Sequence, residues 1–256
     1  MIRLEFLFWL RSKRFLIMLA IFIFSGFTSP LFSYYSNEII NGFGNVNNKI
    51  MISNPEWEDL IKSYFKNTSQ LVLFISAYIV ADRCRLGKDK ALQLFYTTRA
   101  KNAWRILLPK VIVSLIVTCI SSVVGALTTL YVTWVIFDDF IYTLAIKALL
   151  IQLCGILIFI TWAALISYLF NSPFITAIFI EVLIMSAMFF NFNDEFQTWS
   201  PTGLLSPIKI FQNESVTYEN WIQIVSSVIV CFILLSLTFF KPLRKNTKIE
   251  NGKDRQ

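Results

Sequence analysis

A carboxyl group in the middle of an apolar run is the residue of this chain best placed to do chemistry. Glu181 sits within Ile178-Phe179-Ile180-Glu181-Val182-Leu183-Ile184. At the centre of a bilayer a charged side chain costs on the order of 2.5–3.5 kcal/mol on insertion scales, so Glu181 has to face protein or water rather than lipid. Two readings follow. It is a polar group in a translocation path or subunit interface, or it is a protonated carboxyl bonded to a Ser or Thr of a neighbouring helix. The other reactive-looking groups offer less. Asp138–Asp139 and Asp194–Glu195 are paired carboxylates in polar turns, where solvated surface is the simplest reading. Gly87–Lys88 lacks both the earlier glycine and the following Ser or Thr of a phosphate loop. There is no histidine, which removes imidazole acid–base catalysis, histidine metal sites and any Ser-His triad. Cys84, Cys119, Cys154 and Cys231 show no C-x-x-C spacing and read as packing residues. No hydrolase, zinc-protease or kinase signature appears. The expectation is a chain that is not an enzyme and holds neither metal nor cofactor itself.

The elements that must position Glu181 are membrane spans. The 256 residues are 56% hydrophobic with a mean hydropathy of +0.62, beyond an ordinary soluble domain. Runs of about 18 or more apolar residues are long enough to cross hydrocarbon as helices. Spans are expected at 15–35, 69–83, 108–137, 146–170, 173–191 and 221–241. The second is the weakest, with a clean apolar core only from Leu71 to Ala81. The third is longer than a bilayer needs and is expected to tilt or project. Pro30 is expected to kink or end the first. The fold class is therefore an all-α polytopic membrane protein, with one domain over 1–256. An interfacial helix (1–14) precedes six spans within 15–241, and a basic tail (242–256) follows. Glu5, Arg11, Lys13 and Arg14 interrupt the first apolar stretch, so no cleaved signal peptide is expected.

Charge tests the count. Segment 82–110 carries Arg83, Arg85, Lys88, Lys90, Arg99, Lys101, Arg105 and Lys110 against Asp82 and Asp89, a net of plus six. The N-terminal segment is net plus three and the tail net plus four, whereas the alternate loops are all net negative. Basic loops stay in the cytoplasm, so six spans place both termini and the 82–110 loop inside. The whole-chain charge of +7 then reflects topology and anionic lipid heads, with no call for nucleic acid. The outer segments 36–69 and 191–220 are expected to be structured. The first contains the amphipathic piece Trp57–Phe65, and the second is broken by Pro201, Gly203 and Pro207.

Two cytoplasmic helices are expected. Over 2–14, Arg3, Arg11 and Arg14 project to one side and Ile2, Phe6 and Trp9 to the other, with Leu4 and Leu7 blurring the polar face. Such a helix lies at the head-group boundary. In the basic loop a polar stripe recurs every four residues, Arg85, Asp89, Gln93, Thr97, Lys101 and Arg105. Between its members lie Ala91, Leu92, Leu94, Phe95 and Tyr96. Leu92, Phe95 and Tyr96 either fold back on the bilayer or dock into another protein.

Taken together, these features resemble the permease subunits of type-two ABC exporters, over essentially the whole length. Thr28-Ser29-Pro30-Leu31 through Glu38-Ile39-Ile40 resembles the end of the first span in a Gram-positive bacterial branch. Phe65-Lys66-Asn67 to Gln70 resembles the approach to span two. Asp82 to Gly87 and Leu92 to Lys110 resemble the coupling region. There Lys88 replaces the usual threonine, and Arg99-Ala100-Lys101-Asn102 stands where the family has a Pro and an Arg. The resemblance implies an elbow helix at the N-terminus, with Arg3, Phe6, Trp9, Arg11 and Arg14. It implies a coupling helix in which Lys88, Lys90, Leu92, Phe95, Tyr96, Arg99 and Lys101 meet a separate ATPase. Two ATPase copies, carrying ATP and Mg, and a second permease copy or paralogue would complete the unit in a bacterial cytoplasmic membrane, among its lipids. The cargo implied is an amphipathic peptide or other hydrophobic molecule, as in the phenol-soluble modulin exporters of staphylococci or bacteriocin-immunity pumps. The alternative is an ion-gradient-driven carrier or channel using Glu181. A membrane enzyme is disfavoured by the absent histidines and unclustered acids.

Overall fold

In the computed structural model the described residues are 2–43, 55–85, 104–189, 194–213 and 215–240. Every regular element among them is a helix. In order these are α1 (Ile2–Arg11), α2 (Arg14–Tyr34), α3 (Ser36–Phe43), α4 (Trp57–Asn67), α5 (Leu73–Cys84), α6 (Trp104–Ile136), α7 (Tyr142–Phe170), α8 (Pro173–Phe189), α9 (Asp194–Trp199), α10 (Lys209–Asn213) and α11 (Tyr218–Phe240). Four of them are long and apolar enough to cross a membrane: α2, the Ile106–Ile136 part of α6, α7 and α11. α8 is a shorter apolar helix.

The first correction falls on the N-terminus. A single helix over 2–14 is expected, but α1 ends at Arg11 and Arg14 opens α2. Lys13 between them takes a left-handed backbone, φ 57°, which costs a non-glycine residue about 1–2 kcal/mol. The break lets α1 leave the axis of α2. It also removes Arg14 from the face shared by Arg3 and Arg11, both exposed.

Of the two outcomes expected of Pro30, a kink or an end, the end does not occur: Pro30 lies buried inside α2, which continues to Tyr34. Proline has no N–H, so the carbonyl of Gly26, four residues back, loses its helical donor. The donor that reaches it is the hydroxyl of Thr129 in α6, at 3.3 Å, whose one proton is shared with the Gly125 carbonyl of its own helix at 3.1 Å. The approach is possible because the crossing is built on two glycines. A Cβ on Gly26 would stand 2.4 Å from the Gly125 carbonyl oxygen, and one on Gly125 would stand 2.8 Å from that of Phe22. Small residues at such crossings bring helix backbones close together in lipid. The α2–α6 contact is the most extensive between any two elements.

The weak second span is explained by its surroundings. A π-turn, Thr68–Val72, joins α4 to α5, so the chain is helical without a break from Trp57 to Cys84. The rod is wrapped by α2 on its α4 half and by α6, α7 and α8 on its α5 half. Its polar side chains are spent on those neighbours. Asn67 donates to Ser29 Oγ at 2.8 Å and Ser25 Oγ at 3.2 Å, and Ser63 donates to the Ser29 carbonyl at 3.1 Å. Little of α5 faces outward, so it does not need the hydropathy of a lipid-exposed helix.

A second apolar cluster closes one end of the bundle. Trp57 and Phe65 of α4 meet Phe211 of α10 with ring centroids 5.6 and 6.1 Å apart, and Trp57 meets Phe140 at 5.4 Å. The turn Pro201–Leu205 buries Leu204 and Leu205 completely or nearly so. Both segments expected to be structured therefore pack on the bundle. Asp138 and Asp139 stand exposed in a turn, and the four cysteines are free.

Thr129→Val keeps the shape of the side chain but leaves the Gly26 carbonyl without a donor. It should cost about 1–3 kcal/mol, read as a lower thermal midpoint in detergent, with Thr129→Ser much milder. Adding Pro30→Ala restores the helical N–H and should recover most of the loss. If the double variant is no better than Thr129→Val, the hydrogen bond is not the cause.

Candidate functional site

The last turn of α5 gathers charge from three other helices. Asp82 accepts from Arg14 at the start of α2, at 2.5 Å, and from Arg85 at 2.7 Å. Arg83, the next residue, makes a two-toothed pair with Glu5 of α1, its Nη2 at 2.7 Å from Glu5 Oε2 and its Nε on the other oxygen. The Arg83 guanidinium also lies 3.6 Å from the centroid of the Phe8 ring. A planar guanidinium can stack flat on the ring while its edge stays paired with Glu5, which a lysine ammonium cannot do. Lys110, at the other end of the basic segment, is buried close to Glu5, Arg83 and Cys84. On the far side of α5, Ser167 of α7 donates to the Ala81 carbonyl at 2.6 Å.

These groups are sheltered but not sealed: the pairs retain between 12% and 22% of their side-chain exposure. That is enough burial for the forked geometry to count, and enough water to spare the full desolvation cost of a dry pair. The sequence singles out Arg14 and Asp82 separately, on a surface helix and at the start of the basic loop. It does not join them, and Glu5, Arg83 and Lys110 are missed as partners. The one available signal is that Glu5 and Asp82 are acids in strongly basic segments.

Trp9 is fully buried in the main core, and Phe6 packs against it. The apolar side chains that α1 leaves exposed include Leu4, Leu7 and Phe8. Phe6 and Trp9, on the side read as apolar, thus meet the protein core, whereas Ile2 of that side stays exposed. The coupling residues Lys88, Lys90, Leu92, Phe95, Tyr96, Arg99 and Lys101 lie outside the described residues.

Glu181 sits half-buried on α8, between buried Ile180 and Ile184 and exposed Ile178, Val182 and Met185. Its Oε2 has no hydrogen-bond partner, so the bonded-carboxyl reading finds no Ser or Thr for that oxygen. No group of three or more His, Cys, Asp or Glu among the described residues is placed to hold a metal ion.

The molecule is thus an all-helical chain with four helices long and apolar enough to cross a membrane, and its helix ends are fastened by ion pairs. No family model, no curated protein and no solved structure matches it.

Asp82→Asn leaves Arg14 and Arg85 without their carboxylate. It should lower stability by about 1–3 kcal/mol, less than the ~3–5 of a fully buried pair because water screens part of the loss. The reversal pair Arg14→Asp with Asp82→Arg should regain part of it. A thermal melt showing strictly additive losses would remove the pair from the account.

Proposed function

We propose that the chain is the membrane permease subunit of an ATP-driven exporter, worked through the 82–110 segment by a separate ATPase. The observation that carries this reading is the charged clasp at the root of that segment. One end of the segment is fastened by Asp82 and Arg83 to α2 and α1, and the other end enters α6 at a buried Lys110. A push delivered between Arg85 and Trp104 would reach α1, α2, α5 and α6 as one body. The residues that would receive it are Lys88, Lys90, Leu92, Phe95, Tyr96, Arg99 and Lys101.

In this reading the chain crosses the membrane six times, using α2, α5 with the π-turn before it, α6, α7, α8 and α11. α1 lies at the inner surface, and both termini are cytoplasmic in a bacterial plasma membrane. The second crossing is the run from Thr68 to Cys84, about 25 Å at 1.5 Å per residue, most of the ~30 Å of hydrocarbon. Two ATPases, with ATP and Mg, and a second permease complete the unit. The cargo is an amphipathic peptide or similarly apolar molecule. The second reading, an ion-driven carrier, is kept by the unpartnered oxygen of Glu181.

Full-length tagged chain, purified from native membranes in mild detergent, is expected to bring down an ATP-hydrolysing subunit. Lys88→Glu, Lys90→Glu or Lys101→Glu should reduce cargo-stimulated hydrolysis while leaving membrane insertion intact. Absence of any nucleotide-binding partner would sink the exporter reading. Proton-driven uptake in ATP-free vesicles, abolished by Glu181→Gln, would establish the carrier instead.

A further inference from the structure

At the end of the bundle opposite the charged clasp, a cavity of about 190 Å³ opens between the π-turn, α8, the Pro201–Leu205 turn and the first turns of α11. Its wall is unusually polar for a chain of this composition, with Ser69, Gln197, Ser200, Thr202, Asn220 and Gln223 among the lining residues. Asn220 and Gln223 are 5% and 4% exposed. Asn220 Nδ2 and Gln223 Oε1 have no hydrogen-bond partner. Gln223 spends its Nε2 on the Gln197 carbonyl, at 3.2 Å. A buried polar atom left unpaired costs about 1–3 kcal/mol. Two of them one turn apart on α11, beside open space, call for something that pairs with both.

The chemistry of that guest follows from what is free. One wall atom is a donor and the other an acceptor, which matches the C=O and N–H of an amide. Lys209 and Glu219, also on the wall, already neutralise each other at 2.5 Å, so the site has no spare charge to offer an ion. Gly203 lets the turn pack directly against the Gln223 amide: a Cβ there would stand 2.3 Å from Gln223 Nε2 and 2.9 Å from its Oε1. A cavity of this volume holds several waters when empty, and a small uncharged group would displace them.

We propose that this cavity is a binding site for an uncharged amide-bearing group, of the kind that one residue of a peptide backbone presents. The Asn220 amide donates to its carbonyl and the Gln223 oxygen accepts from its N–H. The permease reading plays no part in this assignment, which needs neither an ATPase nor transport, so either can fail alone.

The test uses the full chain in detergent micelles and N-acetylalanine methylamide as probe, with binding followed by saturation-transfer NMR. Saturable binding is expected, and the dimethylamide analogue, which lacks the terminal N–H, should bind more weakly. Asn220→Leu and Gln223→Leu should each weaken binding by about tenfold or more. The thermal midpoint of Asn220→Leu should hold or rise, because an apolar side chain of similar size removes the unpaired atom, whereas Gln223→Leu also takes the donor from the Gln197 carbonyl and its midpoint should fall. Gly203→Ala removes no polar group and should weaken binding by pushing the Gln223 amide out of place. If the wild type shows no saturable signal, or the Leu and Ala variants bind as it does, waters alone occupy the cavity and the proposal is wrong.

Discussion

A backbone carbonyl that its own helix cannot use holds this molecule together. Pro30 strips Gly26 of its donor, and Thr129 on another helix supplies one. In a non-aqueous surrounding such a carbonyl has no water to fall back on, so α2 and α6 are committed to one crossing and one depth. The rest of that side is assembled on this crossing. Ser25, next to Gly26, and Ser29, about one turn on, receive Asn67. Tyr64 packs with its hydroxyl 3.0 Å from where a Gly125 side chain would begin. A defect that would break an isolated helix becomes the point at which three helices are registered.

The other fastening is electrostatic and sits where the chain leaves the bundle. Neighbouring residues Asp82 and Arg83 carry opposite charge and take opposite partners, Arg14 and Glu5. Because the two point to different helices, α1 and α2 cannot move independently of the end of α5. The left-handed Lys13 between α1 and α2 fits this arrangement. The elbow folds α1 back so that Glu5 and Phe8 both reach Arg83, while Arg14 begins the next helix facing Asp82.

The long apolar helices were legible in the sequence, because hydropathy over 18 or more residues is a signal of composition and needs no partner. Segments 15–35, 108–137, 146–170 and 221–241 coincide closely with α2, α6, α7 and α11. What was illegible depended on neighbours. The α5 segment reads as a poor span since Ser69, Ser76 and Asn67 are counted as if they met lipid, when they face α2 or the interior. Pro30 reads as a kink or an end because the rule assumes no outside donor. The apolar side of α1, with Phe6 and Trp9, is legible, but an amphipathic pattern cannot say whether that side meets lipid or protein. At the charged clasp, single residues stood out, but their pairing spans 68 and 78 positions in sequence, beyond any local pattern.

The π-turn has a meaning beyond widening the helix. It inserts one residue into the helical phase between α4 and α5, a rotation of about 100° at 3.6 residues per turn. Upstream of it, Asn67 and Ser63 point at α2; downstream, Asp82 and Arg83 point at α2 and α1, with Ala81 toward α7. Both sets of contacts are satisfied only with the extra residue present. Loss of any one residue from Thr68–Val72 would return the rod to a plain α-helix, keep its composition, length and hydropathy almost unchanged, and turn every contact on one half away from its partner. The number of residues in this stretch is thus a constraint of its own, separate from the burial that restricts Thr68, Ser69 and Val72.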